Sequence, residues 1–332
     1  MMRNVKRVLK FFMREKIFLA LIIMFLAVSI SADSFFTVGN LSNLLIQVGL
    51  YGVVALGMTF TIIGGDFDLG AGPMVSFASM LVALLLGKMG ILPAILLTLL
   101  AGFGSGLLNG LLVAKAKINS FIVTFGSMVM LQGLALTLGK GSPVGTYNEQ
   151  FNKIGSIALG KISLIFIIFM ILLLICHFVL HSTQFGRNIY AIGGNFEVAK
   201  ATGINVDFYK ASLFVMSGLF AAIGGILMAA RVNTGHPTIG DDMTMTVIAG
   251  VVIGGTSLAG GKGNVWRTLL GITVMMFLAN AFDALVIQPY IQRVIKGLII
   301  ICVVAVDSYS KKRIEVSDEN ALSRLKGIFS RA

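Results

Sequence analysis

An all-α integral membrane protein of about ten transmembrane helices, with broken or re-entrant segments and both termini cytoplasmic, is the fold class this sequence predicts. Three observations predict it. Of 332 residues, 57% are hydrophobic and only 12% charged, with a mean hydropathy of +0.94, whereas a soluble chain of this length needs far more polar surface to cover its exterior. Window after window reaches the ~18–20 apolar residues that cross a hydrocarbon core of ~30 Å. The 26 Lys and Arg residues, finally, fall between those windows with a strong bias to alternate loops.

In order, spans are expected near residues 17–32, 43–63, 72–88, 90–113, 121–139, 161–181, 211–231, 244–257, 266–286 and 289–307. The first resembles a signal peptide but lacks a small-residue cleavage site, so it reads as a retained helix. The eighth is too short to cross upright and reads as tilted, broken or re-entrant. No intervening loop is long enough for a folded domain. The longest outer one, roughly 140–160, has room for a short interfacial helix. The chain therefore reads as a single integral membrane domain over 1–332, with an N-terminal arm at 1–16 and a polar tail at 311–332.

With an even number of spans, the two terminal arms and the even-numbered loops share one side and carry 19 basic residues, among them Lys115, Lys117, Arg187, Lys200, Lys210, Lys262 and Arg267. The other side carries five: Lys88, Lys140, Lys153, Lys161 and Arg231. Positive charge accumulates on the cytoplasmic side, which puts both termini and the 182–210 loop there. The net charge of +12 is this orientation signal, and it leaves no reason to expect nucleic-acid binding.

Glycines recur in two spans, at Gly102, Gly104, Gly106 and Gly110 and at Gly218, Gly224 and Gly225, a pattern that lets helices pack closely in lipid. Cys176 and Cys302 are two isolated cysteines inside spans, offering neither a disulfide framework nor a metal site. His177 and His181 share a helical face, but with no further ligand nearby they read as packing residues at a span end. No Ser-His-Asp or paired-carboxylate arrangement is present. No enzyme activity and no cofactor bound by this chain are expected.

The most informative stretch is polar: residues 185–203, between two strongly apolar segments. Asn195 can cap a short helix, Glu197 favours its first turn, Lys200 its last, and Gly203 can end it. Such a helix has about two turns and is roughly 10 Å long, with Phe196, Ala199 and Ala201 adding apolar surface. It reads as a handle held out in water for a soluble partner.

Three further interruptions stand out. Ile62–Met74 places four glycines, Pro73, Asp66 and Asp68 in otherwise apolar sequence. Non-helical backbone at membrane depth survives only inside protein or beside a wet cavity and often marks transporter sites. A solvated cytoplasmic turn is the equally open alternative. Ile253–Asn264 is glycine-rich but lacks the phosphate-loop spacing, so it reads as a flexible cytoplasmic loop. Asp241 and Asp242 sit at a span entrance on the outer side, where a gating role competes with an ordinary solvated loop. Arg293 and Lys296, three residues apart in the last span, need a partner or a cavity, and Asp283 on the preceding span is a candidate.

Four stretches together carry a resemblance: Leu50–Gly72 (LYGVVALGMTFTIIGGDFDLGAG), Ile118–Val144, Gln184–Val206 (QFGRNIYAIGGNFEVAKATGINV) and Val251–Gly271. In this order, over about residues 40–310, the chain resembles the membrane permeases of ribose-type bacterial ABC sugar importers. The resemblance implies a location in the bacterial inner membrane and a second permease, either another copy or a paralogue. It also implies an ATP-binding cassette ATPase that carries ATP-Mg and docks from the cytoplasm, and a periplasmic substrate-binding protein. The 185–204 loop would be the coupling loop that contacts the ATPase, through Gly186, Arg187, Asn195, Phe196, Glu197, Ala199 and Gly203. Translocation or gating candidates are Asp66, Asp68, Asp241, Asp242, Arg293 and Lys296. The chain departs from the family at Gly64-Gly-Asp-Phe-Asp-Leu-Gly-Ala-Gly72, where an acid is added, a serine is missing and Pro73 follows. The expected function is the transmembrane subunit of an ATP-driven monosaccharide importer. The rival is an ion-gradient-driven transporter using Asp66 or Asp68.

Overall fold

A computed structural model describes residues 37–302 and 305. The first expected span, the 1–16 arm and the 311–332 tail lie outside the described residues.

Among the described residues, six helices are long and apolar enough to cross a membrane: α1 (Val38–Ile63), α3 (Ile91–Ala114), α4 (Ser120–Gly139), α6 (Leu164–Ser182), α9 (Val206–Val232) and α11 (Val265–Ala284). Two apolar helices are shorter, α2 (Ala71–Leu86) and α10 (Met243–Ile253). Residues 289–302 form a further helix, α12. Polar helices α5 (Glu149–Ser156), α7 (Gln184–Gly194) and α8 (Phe196–Ala201) lie in the connections. Side chains cap five of the six long helices, at Thr37, Asn119, Ser163, Asn205 and Asn264, each accepting from a first-turn amide; α3, entered from Gly90, has no side-chain cap.

Hydrophobicity does not decide which helices are central. In their most apolar windows α1 is 89% buried and α9 78%, while α3, α4 and α6 are 22–28% buried although each is at least as hydropathic as α1. Leu92, Leu100, Phe121, Ile122 and Phe178 stay exposed on those outer helices, as expected where the solvent is lipid. Small residues bring α3 against α9: a Cβ on Gly106 would lie 2.3 Å from the Phe214 carbonyl oxygen, and one on Gly102 2.6 Å from that of Gly218. Backbones in such contact gain dispersion that larger residues would forbid. Gly104 faces open space and takes no part.

The connections gather at two ends of the bundle. At one end Lys117 pairs with Asp207, Lys210 with Asp66, and the Gly261 N–H donates to Ile63 O. At the other, Arg231 donates to Asn43, Arg293 meets Asp242, and β1 (Val144–Gly145) pairs antiparallel with β4 (Thr234–Gly235) in the register Val144↔Gly235. A second two-residue pair, β2 (Ala158–Leu159) with β3 (Ile162–Ser163), forms a hairpin. These are the same two sets of loops that the basic residues distinguish. The short helix expected in the 140–160 loop is α5, capped by Asn148.

The short helices have a common cause. After α1 ends at Ile63, the chain passes through Gly64–Gly70 without regular structure before α2 begins. At 16 and 11 residues, α2 and α10 are only ~24 and ~16 Å long. Their N-terminal ends meet inside the protein: Gly72 N donates 2.9 Å to the Thr244 hydroxyl, which donates 3.3 Å to Leu69 O, while Gly240 N donates 2.8 Å to the Ser76 hydroxyl. Side-chain hydroxyls thus satisfy backbone groups that unbroken helices would have satisfied themselves. The eighth span, expected to be short or broken, is the 11-residue α10.

Candidate functional site

The polar stretch forms two helices. Thr183 caps α7 by accepting from Gly186 N at 3.2 Å, and Asn195 caps α8 by accepting from Val198 N at 3.1 Å. Glu197 stands in the first turn of α8 and Lys200 in its last. Gly203, with φ +83°, adopts the left-handed conformation that closes it. The expected short helix is therefore α8; α7 before it was not expected, because Gly186, Gly193 and Gly194 weaken its helical signature.

The pair is anchored from beneath. Ile192, Ala199 and Val206 are buried together against Phe196, Ile204 and Tyr209. Arg187, Asn195, Glu197, Val198, Lys200 and Gly203 are exposed. Ala199 thus faces inward as an anchor, and Val198 supplies the outward apolar contact. Gly186 is buried as well, and a Cβ there would lie 2.2 Å from Leu180 O.

What lies under the handle is the end of α1. A Cβ on Gly193 would sit 1.8 Å from Ile63 O, the oxygen that also accepts the Gly261 amide at 2.8 Å. Gly260 and Gly261, both at positive φ, press their backbones on Gly193 and Gly194. The Tyr190 hydroxyl donates 2.8 Å to Gly263 O, and burial pushes this phenol above its ordinary value, so the donating proton stays in place. The 253–264 stretch, expected to be a flexible loop, is instead pinned by close backbone contacts that only glycine permits.

The acids following α1 are both buried, at 5% exposure for Asp66 and 3% for Asp68, so the solvated turn gives way to the buried alternative. Asp66 Oδ2 lies 2.8 Å from Lys210 Nζ, and that ammonium also stands 5.6 Å from the centre of the Phe196 ring. Asp68 Oδ1 accepts the Gly70 amide at 2.9 Å. One lysine therefore joins the handle's aromatic residue to the broken segment between α1 and α2.

At the opposite end, a cavity of about 660 Å³ opens between α1, α9, α11 and α12. Asn40, Asn43, Gln47 and Tyr51 line it from α1, Asn280 and Asp283 from α11, Gln292 and Lys296 from α12, and Arg231 from α9. Asn40 and Asn280 exchange amide hydrogen bonds of 2.9 and 2.7 Å. Arg293, expected beside Asp283, instead places its Nε 3.0 Å from Asp242 Oδ2; Asp283 accepts from Gln292 at 3.0 Å. Asp241 is exposed beside that pair. Lys296 points to the cavity, separate from Arg293. Hydropathy does not single out the α1 stripe; its signal is the 3, 4, 4 spacing of polar residues along one face of an apolar helix.

His177 and His181 stack at 5.5 Å, with Trp266 edge-on to His177 at 6.1 Å, an aromatic cluster. Among the described residues no group of three or more His, Cys, Asp or Glu could hold a metal ion.

A helical, multi-pass membrane protein with a broken-helix interior and a paired-helix handle at one end has the build of a transporter's membrane subunit. Residues 40–304 match the family described as branched-chain amino acid transport system / permease component, and the chain belongs to that family. It is 35% identical to the ribose import permease protein of Escherichia coli (strain K12) over 301 residues, covering 89% of this chain and 94% of that protein. It is 37% identical to the Bacillus subtilis (strain 168) ribose import permease protein over 294 residues, 87% of this chain and 91% of that one. The L-arabinose transport system permease protein of Escherichia coli (strain K12) is 34% identical over 294 residues, 87% and 89% of the two chains. No solved structure matches. The relatives are permease components, which agrees with the expectation of no enzyme activity on this chain.

Proposed function

We propose that this chain is the transmembrane subunit of an ATP-driven importer that carries a monosaccharide or similar small polar solute across the bacterial inner membrane. The observation that carries this is its 34–37% identity, along nearly its whole length, to permeases named for ribose and L-arabinose. The chain acts as one domain of about ten spans with both termini cytoplasmic. The end bearing α7 and α8 faces the cytoplasm, and the cavity end faces the periplasm. The charge bias supports that orientation.

The partners in this reading are an ATP-binding cassette ATPase, a periplasmic binding protein and a second permease, copy or paralogue. ATP-Mg resides on the ATPase, and no cofactor is held here. The ATPase grips the exposed face of α7–α8, namely Arg187, Asn195, Glu197 and Val198, while Gly186, Phe196, Ala199 and Gly203 fix its shape. A displacement of that face reaches the broken segment by two rigid routes: Gly193 on Ile63, and Phe196–Lys210–Asp66. The Arg293–Asp242 contact closes the opposite end, beside Asp241. Because a ligand shifts a conformational equilibrium only through differential affinity, the ATPase and the binding protein must prefer different permease states.

The test is reconstitution in proteoliposomes with the ATPase and binding protein. Uptake of radiolabelled sugar is expected only with ATP and all three components. Uptake driven by a proton or sodium gradient without the ATPase would overturn the reading and install the ion-coupled rival built on Asp66 or Asp68.

A further inference from the structure

The cavity at the end opposite the handle is more than a gap between helices. Its polar lining is mostly amides, set among apolar residues such as Ile46, Leu50 and Met276, and several of the amides have already paired off. Asn40 holds Asn280 reciprocally, Arg231 donates 3.2 Å to Asn43, and Gln292 donates to Asp283 and, at 2.9 Å, to Ile287 O. These contacts satisfy most of the amides and fix the wall. Gln47, Tyr51 and Lys296 remain without a hydrogen-bond or ion-pair partner among the described residues. They stand on two facing helices.

Polar groups left open inside an apolar bundle are costly unless water or a ligand meets them. The volume of about 660 Å³ falls within the ~300–1,000 Å³ range of small-molecule sites. An amide, a phenol and an ammonium offer donors for hydroxyl oxygens, and the first two also accept. The Tyr51 ring adds an apolar face for C–H groups. Such a set suits a neutral molecule bearing several hydroxyls on a compact ring.

Building on the importer reading, we propose that this cavity is the permease's own transient site for a polyhydroxylated solute, with Gln47 and Tyr51 as its specificity-determining contacts. Few contacts and an open wall make the site weak, as passage requires: solute must leave as readily as it enters.

The experiment measures sugar carried per ATP hydrolysed in the reconstituted complex, with D-ribose and L-arabinose as probes, for wild type, Gln47→Leu, Tyr51→Phe and Gln47→Asn. Misfolded complex contributes to neither quantity, so the ratio is insensitive to folding yield. The ratio is expected to fall at least about fivefold in Gln47→Leu and about threefold in Tyr51→Phe, with partial recovery in Gln47→Asn and ATPase activity retained. A wild-type ratio in both Gln47→Leu and Tyr51→Phe, including the case where uptake and ATPase activity fall together, overturns the cavity assignment and leaves the importer standing. Failure of the wild-type complex to carry either sugar overturns the monosaccharide reading, and this inference with it.

Discussion

The two ends of this molecule are held by different chemistry. At the handle end, the decisive contacts are backbone on backbone: Gly193, Gly260, Gly261 and Ile63 approach so closely that side chains are excluded. At the cavity end, side chains do the joining, through the Asn40–Asn280 amide exchange, Arg231 with Asn43, and Gln292 with Asp283. Backbone stacking has almost no compliance, because interiors are close-packed and peptide geometry is stiff. Amide pairs can break and re-form with water or with a ligand's hydroxyls at little net cost. The first suits an end that transmits displacement, the second an end that accommodates a passing solute.

The sharpest way to break this comparison is to put a methyl group into the backbone stack. Gly193→Ala forces a Cβ to within 1.8 Å of Ile63 O and 2.5 Å of the Gly261 amide, and neither can move without shifting α1 or the 254–264 segment. Overpacking of this kind costs ~1–3 kcal/mol. ATP-driven uptake is expected to fall more than about tenfold. Gly194→Ala is the control: an added Cβ there meets nothing within 4 Å, so uptake should stay within about twofold of wild type. Equal loss in both variants would show that the handle's composition matters and the stack does not.

A smaller effect is expected from the amide exchange. Asn280→Leu removes both hydrogen bonds exchanged between Asn280 and Asn40 at a site where Asn280 is only 6% exposed, a loss of ~1–2 kcal/mol. Asn40→Leu should cost a similar amount. The double variant should recover part of it, since two apolar side chains can pack against each other where the amides met. Thermal unfolding of the purified protein in detergent, across the double-mutant cycle, measures the coupling; values near ~0.6 kcal/mol are usual for polar pairs between membrane helices. Strict additivity would mean the two amides do not depend on each other, and the contrast between the ends would lose its basis.

What the sequence made legible divides along the same line. The α8 cap, its charged turns and its Gly203 terminator are interactions within nine residues, and residue types alone specify them. The short α10 was legible from length. The α1 face bearing Asn40, Asn43, Gln47 and Tyr51 was missed because four polar residues over three turns barely dent the hydropathy of a 26-residue apolar helix. The glycine run at 253–264 was misread as flexible because a glycine that permits close approach and one that permits disorder look alike in one dimension. Proximity along the chain makes Asp283 a candidate partner for Arg293. Its actual partner, Asp242, precedes α10 and comes close only once three helices have set their rotation about one another. Helix rotation is set by packing and is not written in any local run of residues.

The smallest effect lies in the handle itself and decides whether its rigidity is intrinsic or borrowed. An α-helix of six residues is far too short to be stable alone, so α8 depends on its Asn195 cap and on Ala199, buried beneath it. Asn195→Ala removes the acceptor for the Val198 amide, worth ~1 kcal/mol, while the anchoring cluster remains. If the cluster supplies most of the order, exchange of the Val198 amide should quicken about fivefold in hydrogen–deuterium exchange, with uptake reduced less than about threefold. If instead the cap supplies it, the whole 196–201 segment will exchange freely and uptake will fall as far as is expected for Gly193→Ala. The comparison favours the first outcome, because a coupling element seated on the end of α1 takes its stiffness from what it sits on.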